Sequence, residues 1–268
     1  MSDLKNSIIK INSLEELSFK DTLIHRLHPV VKLMTTLIYL IIVISFPTYE
    51  VSGLLSLVLF PVLCMVLGEL PLRPLSGRLL VALPFTFFAG LSNLFLNREV
   101  VFQIGALTVT GGVLGFCSIM IKTVLTVTAI LILIATTSMK ELLQVLLQFR
   151  IPSIMVLQLT MTFRYLELLA NEALVMYHAY VLRAPGEKGI KLKDMGAFLG
   201  QLLLRSFGRA DRVYYAMKCR GFEGEIRFSE HRKLKATDWG YLLLLSAVMI
   251  LLRCFNVSEI IGNLFISL

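Results

Sequence analysis

The stretch GVLGFCSIMIKTVLTVTAILILIAT, Gly112–Thr136, carries one charged residue, Lys122, in an otherwise uncharged sequence. A helix needs about 20 predominantly apolar residues to cross the hydrocarbon core of a bilayer, so this stretch predicts a transmembrane helix. Four other apolar runs approach the same length. The sequence therefore predicts an all-α polytopic membrane protein with about five transmembrane helices, the others being Val31–Phe46, Val51–Leu67, Leu79–Leu96 and Trp239–Phe255.

The composition of the whole chain is typical of a membrane protein. Of its 268 residues, 56% are hydrophobic and only 16% are charged, whereas soluble domains have roughly 25% charged residues. The first thirty residues are polar and charged, so we expect no cleavable signal peptide and expect the first span to direct insertion. The four cysteines are scattered, which predicts neither a disulfide framework nor a zinc site.

The cationic residues predict the orientation of the chain in the cell membrane. Groups of them precede or enter the first span, follow the second (Arg73 and Arg78), and fill the segment from Lys140 to Lys235. Because cytoplasmic loops carry the excess of Lys and Arg, the N-terminus and these groups are expected in the cytoplasm. Lys122 is different, since an ammonium in the bilayer faces a partner or reaches the headgroups. The simpler interpretation is that its helix begins near the membrane surface.

The chain divides into three predicted regions: 1–137 with four spans, a cytoplasmic helical module at 138–238, and a final span and tail at 239–268. In the module, Pro152 opens a helix predicted at Ser153–Arg183, about 46 Å long at 1.5 Å per residue. A second helix is predicted from about Lys193 to Arg220. Its apolar residues recur at steps of 4, 3, 4 and 3, which indicates a seam for helix–helix packing. The seam residues are Leu203, Phe207, Ala210, Tyr214 and Met217.

Both predicted helices end in an arginine with helix-stopping residues close behind it, Pro185-Gly186 after Arg183 and Gly221 after Arg220. The first ends in LRAPG, with Arg183, and the second in KCRG, with Arg220. One interpretation is local, because an arginine complements the helix dipole and Gly221 supplies a left-handed cap. The other is functional, since a guanidinium at a helix tip can enter a partner's pocket and bond carboxylates or carbonyls there. Two such tips could engage two copies of one partner.

These two helix ends, the segment LLRSFGRADRVYYAMKCRGFEG at Leu203–Gly224 and HRLHPVVKL at His25–Leu33 together resemble one known family. It is the transmembrane T component of energy-coupling factor transporters, and the closer likeness is to the CbiQ branch associated with cobalt uptake. The likeness extends from about Asp21 to Gly224. It implies that two X-Arg-X motifs, commonly Ala-Arg-Gly, dock in grooves of two cytosolic ATPase subunits.

The motifs match this chain as Leu182-Arg183-Ala184 and Cys219-Arg220-Gly221. The second departs from Ala-Arg-Gly only at Cys219, the first at both flanking residues, and His28 stands where Asp is more usual. The resemblance therefore implies that Arg183, Ala184, Cys219, Arg220 and Gly221 bind ATPase subunits. It also implies long cytoplasmic coupling helices that meet at the seam residues.

The resemblance further implies the partners of a non-catalytic subunit of an importer. These are two CbiO/EcfA-like ATP-binding subunits and a CbiM-like substrate-binding membrane subunit, with or without a small CbiN-like subunit. An alternative within transport is the T component of a vitamin-uptake module. Gene neighbourhood would discriminate the two, because a cobalt system would lie beside genes of cobalamin biosynthesis.

The sequence lacks motifs typical of ATP hydrolysis or of metal binding. No GxxxxGK[ST] loop is present, so ATP hydrolysis is expected on another polypeptide. His25 and His28 are three apart without a third ligand nearby, which predicts no metal and no cofactor. The basic module has no recognisable nucleic-acid fold, so attraction to the lipid headgroups is expected and nucleic-acid binding is not. The remaining alternative, a polytopic membrane enzyme, would need clustered acids or nucleophiles, and Glu50, Glu69 and Lys122 are too sparse.

Overall fold

A computed structural model describes residues 18, 20–47, 51–96, 100–104, 107–149, 151–184, 186, 189–224 and 235–254. The described residues form two compact units, one from 18–138 with 235–254 and the other from 139–224. The first and third predicted regions thus contribute their described parts to one unit. We call the two the membrane unit and the hairpin unit.

The membrane unit consists of helices and one short β-hairpin. Its helices are α1 (Pro29–Ser45), α2 (Val51–Ser56), α3 (Leu59–Leu67), α4 (Leu72–Leu96), α5 (Gly111–Thr136) and α9 (Ala236–Cys254). Strands β1 (Val100–Ile104) and β2 (Leu107–Thr110) pair antiparallel between α4 and α5. The predicted all-α membrane fold is confirmed. The short β-hairpin between α4 and α5 was not predicted from the sequence.

Three described helices are long and apolar enough to cross a membrane: Leu75–Leu94, Gly111–Thr136 and Ala236–Arg253. The first two predicted spans correspond to shorter apolar helices, Pro29–Ser45 and Gly53–Leu67. At 1.5 Å per residue, α1 is about 26 Å long, slightly less than the roughly 30 Å hydrocarbon core. The prediction of about five spans therefore rests on three full-length helices and two shorter ones.

The second apolar run is interrupted between α2 and α3, just before Pro61. A proline ring clashes with the carbonyl four residues earlier and removes one helix hydrogen bond. Here that carbonyl belongs to Leu57, and it accepts a hydrogen bond from the buried Tyr39 hydroxyl at 3.0 Å. The interruption thus gives α1 a polar attachment inside an apolar core.

One of two buried clusters in the described membrane unit is shared by α1, α2, α5 and α9. Tyr39, Leu54, Leu125 and Met249 belong to one buried cluster that joins these four helices. Helix α4 packs against α5 instead, at a point where a β-carbon added to Gly90 would lie 2.8 Å from Phe116 Cδ2. A glycine is needed there because the two helices approach too closely for a side chain.

Two cations meet the carboxyl end of α1. Lys122, the isolated charge of α5, donates from Nζ to the Phe46 carbonyl at 2.6 Å. Arg253 of α9 donates to the Ser45 carbonyl at 3.3 Å, and its guanidinium lies 4.2 Å from the centre of the Phe46 ring. The last carbonyls of a helix have no partner within the helix and carry its negative dipole end. Lys122 therefore has a specific acceptor.

The hairpin unit contains α6 (Met139–Gln148), α7 (Ser153–Arg183) and α8 (Leu192–Cys219). Helix α7 begins directly after Pro152 and has the bounds that the sequence predicted, and α8 begins and ends one residue before its predicted limits. Leu143 and Val145 of α6 are buried, as are Val156 and Leu157 of α7. Among the described residues of this unit these four side chains are the buried ones, and the rest of α7 and the whole of α8 are more exposed.

Candidate functional site

Helices α7 and α8 form an antiparallel hairpin held by polar side chains. Near the turn, the Tyr180 hydroxyl donates to Asp194 Oδ2 at 2.8 Å. Further along, Glu172 accepts hydrogen bonds from Arg205 and Arg209, the second at 3.4 Å. The contact earlier in α7, at Glu172, is made with residues later in α8, so the two helices run antiparallel and their register is fixed. The hydrogen bond to Asp194 raises the pKa of Tyr180 above its ordinary value, because the bond needs the phenol proton.

Arg183 is the last residue of α7 and lies at the turn of the hairpin. The helix ends at Ala184, whose backbone N–H donates to the Tyr180 carbonyl at 3.0 Å. The chain then passes through Gly186, which has a φ of 96° in the left-handed region. Arg183 is exposed, and the neighbouring Leu182 has 82% of its surface exposed. The turn therefore presents an arginine beside an apolar side chain to the surroundings.

Arg220 lies at the opposite end of α8, in a well-formed helix cap. The N–H of Gly221 donates to the Lys218 carbonyl at 3.0 Å, and the N–H of Phe222 donates to the Met217 carbonyl at 3.1 Å. With a φ of 80° at Gly221, this is a Schellman motif. The left-handed glycine cap predicted from the sequence is confirmed. Arg220 itself is exposed, together with Cys219 and Gly221.

An apolar groove of about 590 Å³ separates α7 from the second half of α8. Phe207, Ala210, Tyr214 and Met217 line it, so four of the five predicted seam residues face α7. Leu203 is absent from its lining and is 55% exposed. No residue of α8 is buried. The predicted seam therefore borders an open groove in this structure, and its role in coupling stays a prediction.

The sequence analysis missed the other side of this groove and its end. The end is formed by Phe222, which the Schellman motif folds back towards Met217. An apolar pair at these two positions commonly accompanies the motif, so Gly221 followed by Phe222 was a readable signal. The side that α7 contributes consists of Ile154, Leu157, Met161, Tyr165 and Leu169.

The two arginines are separated by the whole length of α8. A helix of 28 residues rises about 42 Å. One arginine lies at the turn and the other at the far end, and both are exposed. The hairpin can therefore present two guanidinium groups to two separate binding pockets.

The two histidines near α1 have structural hydrogen bonds. His25 Nδ1 lies 2.7 Å from Thr22 Oγ1, and His28 Nδ1 accepts from the Val30 N–H at 3.2 Å, which caps the start of α1. Within the ranges that the structure describes, no group of three or more His, Cys, Asp or Glu residues is placed to hold a metal ion. That the isolated chain binds no metal stays a prediction.

Comparison with known proteins places the chain in a family. Residues 20–234 match the family described as CbiQ, cobalt transport protein. The chain is 28% identical over 245 residues to the energy-coupling factor transporter transmembrane protein EcfT of Bacillus subtilis, covering 85% of this chain and 91% of that protein. The EcfT protein of Streptococcus equi is likewise 28% identical, over 80% of this chain and 84% of its own.

A third relative matches over a shorter region. The nickel permease LarQ of Lactiplantibacillus plantarum is 31% identical over 115 residues, covering 43% of this chain and 41% of that protein. The family match extends over most of the chain, and the EcfT relatives align over most of both sequences. The chain therefore belongs to the EcfT/CbiQ family, the transmembrane components of energy-coupling factor transporters.

Proposed function

We propose that this chain couples two cytosolic ATP-binding subunits to a substrate-binding membrane subunit of an importer, with cobalt ion as the substrate. The observation that carries the proposal is the pair of exposed arginines, Arg183 and Arg220, at opposite ends of one hairpin. Each guanidinium has several N–H groups that can donate hydrogen bonds to a carboxylate or to a set of carbonyls in a partner's groove.

The separation of the two arginines favours two docking partners. The rise along α8 is about 42 Å, which exceeds the roughly 30 Å diameter of a small domain. One small partner domain therefore cannot receive both arginines in one pocket. Two copies of an ATP-binding subunit, one at each end of the hairpin, satisfy the geometry. In this arrangement Ala184, Cys219 and Gly221 contact the same grooves as their arginines.

The open groove supports a moving role for the hairpin. Polar contacts hold α7 and α8 together near the turn, at Tyr180–Asp194 and at Glu172. Beyond them the helices border a groove of about 590 Å³ rather than a packed core. A change in helix separation there breaks few contacts. We assign the seam residues Phe207, Tyr214 and Met217 to this movement, which follows closure of the ATP-binding subunits.

The substrate is proposed from the family and not from a site in this chain. Cobalt transport is the printed description of the family that matches residues 20–234. A relative over less than half of the chain is named a nickel permease, so nickel is the closest competing ion. The T component of a vitamin-uptake module remains the alternative that differs in its binding subunit.

The proposal is tested by isolating the complex from its native membrane. The tagged chain is purified in mild detergent and the co-purifying subunits are identified by mass spectrometry. We expect two copies of an ATP-binding subunit or one each of two, together with one substrate-binding membrane protein. Uptake of Co²⁺, Ni²⁺ and vitamins by the reconstituted complex identifies the substrate. Recovery of the intact chain without any ATP-binding subunit would refute the coupling function.

A further inference from the structure

A buried lysine joins the first and fifth helices of the membrane unit. Lys32, in the first turn of α1, has only 5% of its surface exposed. Its Nζ donates to the Thr136 carbonyl at 2.7 Å and to the His25 carbonyl at 3.0 Å. Thr136 is the last residue of α5, and its carbonyl has no partner within that helix. One ammonium therefore holds the carboxyl end of α5 and the segment that leads into α1.

A buried aspartate makes the corresponding link to α9. Asp238 has 6% of its surface exposed and lies in the first turn of that helix. One oxygen, Oδ1, accepts from the backbone N–H of His28 at 3.4 Å, and the other, Oδ2, accepts from the N–H of Lys235 at 3.0 Å. His28 is the residue that caps the start of α1. Lys32 and Asp238 thus hold the ends of α5 and α9 against the same end of α1.

Both ends lie next to the points where the chain passes between the two units. The described part of the membrane unit ends at Ser138, two residues after Thr136, and resumes at Lys235, whose N–H donates to Asp238. Among the described residues, the backbone that leaves α5 for α6 and the backbone that enters α9 therefore each lie within a few residues of a buried hydrogen bond to Lys32 or Asp238.

We propose that Lys32 and Asp238 are positioning residues that convert movement of the hairpin unit into movement of α1, α5 and α9. The inference rests on the proposed coupling function. The two residues between Thr136 and Met139 can span about 7 Å when extended, and release of the last turn of α5 would lengthen the connection by roughly another 7 Å, from about 5 Å as helix to about 12 Å extended. If the last turn of α5 could unwind, this extra length would absorb a displacement of the hairpin unit. Because the Lys32 ammonium holds the Thr136 carbonyl, the turn stays wound and the displacement is passed on to α5.

The experiment compares Lys32→Met with a matched control, Lys122→Met, in the reconstituted complete complex. The ammonium of Lys122 in α5 also donates a hydrogen bond to a helix-end carbonyl, that of Phe46, but at the carboxyl end of α1. ATP hydrolysis and Co²⁺ uptake are measured on the same preparation. For Lys32→Met, which removes the hydrogen bond between α1 and the end of α5, we expect ATP hydrolysis within about twofold of the wild type. Uptake per ATP hydrolysed should fall at least about tenfold. For Lys122→Met we expect an unchanged ratio.

A second measurement does not depend on the identity of the substrate. Hydrogen exchange of α1 and α9 is recorded for the nucleotide-free complex and for the complex trapped with ATP and vanadate. The wild type should show a nucleotide-dependent change in both helices, and Lys32→Met should lose it. Lys32→Arg keeps a cationic donor and should restore part of the response. Should Lys32→Met fail to accumulate, Asp238→Asn provides the same test, because its amide retains one acceptor oxygen.

The outcomes separate this inference from the proposed function. A wild-type chain that binds no ATP-binding subunit refutes the coupling function itself. A coupled wild type with an equally coupled Lys32→Met or Asp238→Asn variant refutes the positioning role alone. Loss of hydrolysis and uptake in equal proportion also refutes it, because that result shows only a smaller fraction of folded complex.

Discussion

Replacing Arg220 by glutamate separates a helix cap from a docking residue. In the isolated chain Arg220 is exposed at the carboxyl end of α8. The cap depends on backbone hydrogen bonds of Gly221 and Phe222, which the substitution leaves in place. An exposed charge at a helix end contributes at most about 1 kcal/mol through the dipole. We therefore expect Arg220→Glu to insert, fold and purify almost as the unchanged chain does.

The same substitution has a larger effect if Arg220 is buried in a partner's groove. A carboxylate would then face the groups that had held a guanidinium. Losing one partner of a desolvated, hydrogen-bonded charge pair costs about 2–5 kcal/mol. At 1.4 kcal/mol per tenfold, the affinity for the ATP-binding subunit falls roughly 30-fold to 4,000-fold. The two interpretations thus differ by more than tenfold in a measurable affinity.

Lys218→Glu is the matched control for this experiment. Lys218 lies two residues earlier in the last turn of α8, is exposed, and has its Nζ 5.7 Å from the centre of the Tyr214 ring. The substitution makes the same change of charge at the same helix end. If attraction between the basic helix end and an acidic partner were enough, both variants should lose the same affinity. If Arg220 enters a groove, Lys218→Glu should retain most of it.

The assay is co-purification of ATP-binding subunits from membranes with matched expression, followed by titration of the purified subunit onto each variant. Substrate uptake is measured in the same membranes. Normal affinity and normal uptake for Arg220→Glu would return Arg220 to the role of a helix cap. Equal losses for Arg220→Glu and Lys218→Glu would also contradict the docking interpretation, because the effect would then follow charge alone.

Four further predictions concern the same hairpin and the isolated chain. Arg183→Glu should weaken ATP-binding-subunit co-purification, and its combination with Arg220→Glu should abolish co-purification and uptake. Gly221→Ala places a side chain at a φ of 80°, which costs about 1 kcal/mol of local stability and should speed hydrogen exchange in the last turn of α8 about fivefold. Because the hydrogen bond to Asp194 raises the pKa of Tyr180, this bond stabilises the hairpin at pH values below the ordinary pKa of 10.0, and the stabilisation is lost as the pH rises through the raised pKa. Tyr180→Phe should remove this pH-dependent fall in the melting temperature. The chain alone should neither hydrolyse ATP nor bind Co²⁺ stoichiometrically, by phosphate release and calorimetry.

The parts of the fold that local signals determine were predictable from the sequence. Helix α7 begins directly after Pro152 and ends at Arg183, as predicted, because a proline opens a helix and a Pro-Gly pair follows its end. Gly221 ends α8 as a left-handed cap. The break before Pro61 was equally local, yet the long apolar run concealed it, since composition alone does not distinguish one helix from two.

The groove and the relation of the two arginines depended on tertiary structure. The steps of 4, 3, 4 and 3 placed Phe207, Ala210, Tyr214 and Met217 on one face of α8, and that face lies across the groove from α7. Periodicity could not show that the two faces stay apart, because helix separation depends on the contacts of the whole hairpin. Glu172, which accepts from both Arg205 and Arg209 across the hairpin, lies more than thirty residues from either.

The acceptors of three cations in the membrane unit could not be predicted from the sequence. Lys32, Lys122 and Arg253 each adjoin or interrupt an apolar run, and hydropathy assigns such residues to the membrane surface. In the structure each donates to the carbonyl at or beside the end of another helix: Thr136, Phe46 and Ser45 respectively. A helix end supplies unpaired carbonyls and a negative dipole, so it can hold an ammonium or guanidinium. The partners are 104, 76 and 208 residues away. No local pattern identifies them, because each contact forms only when two distant helices pack together.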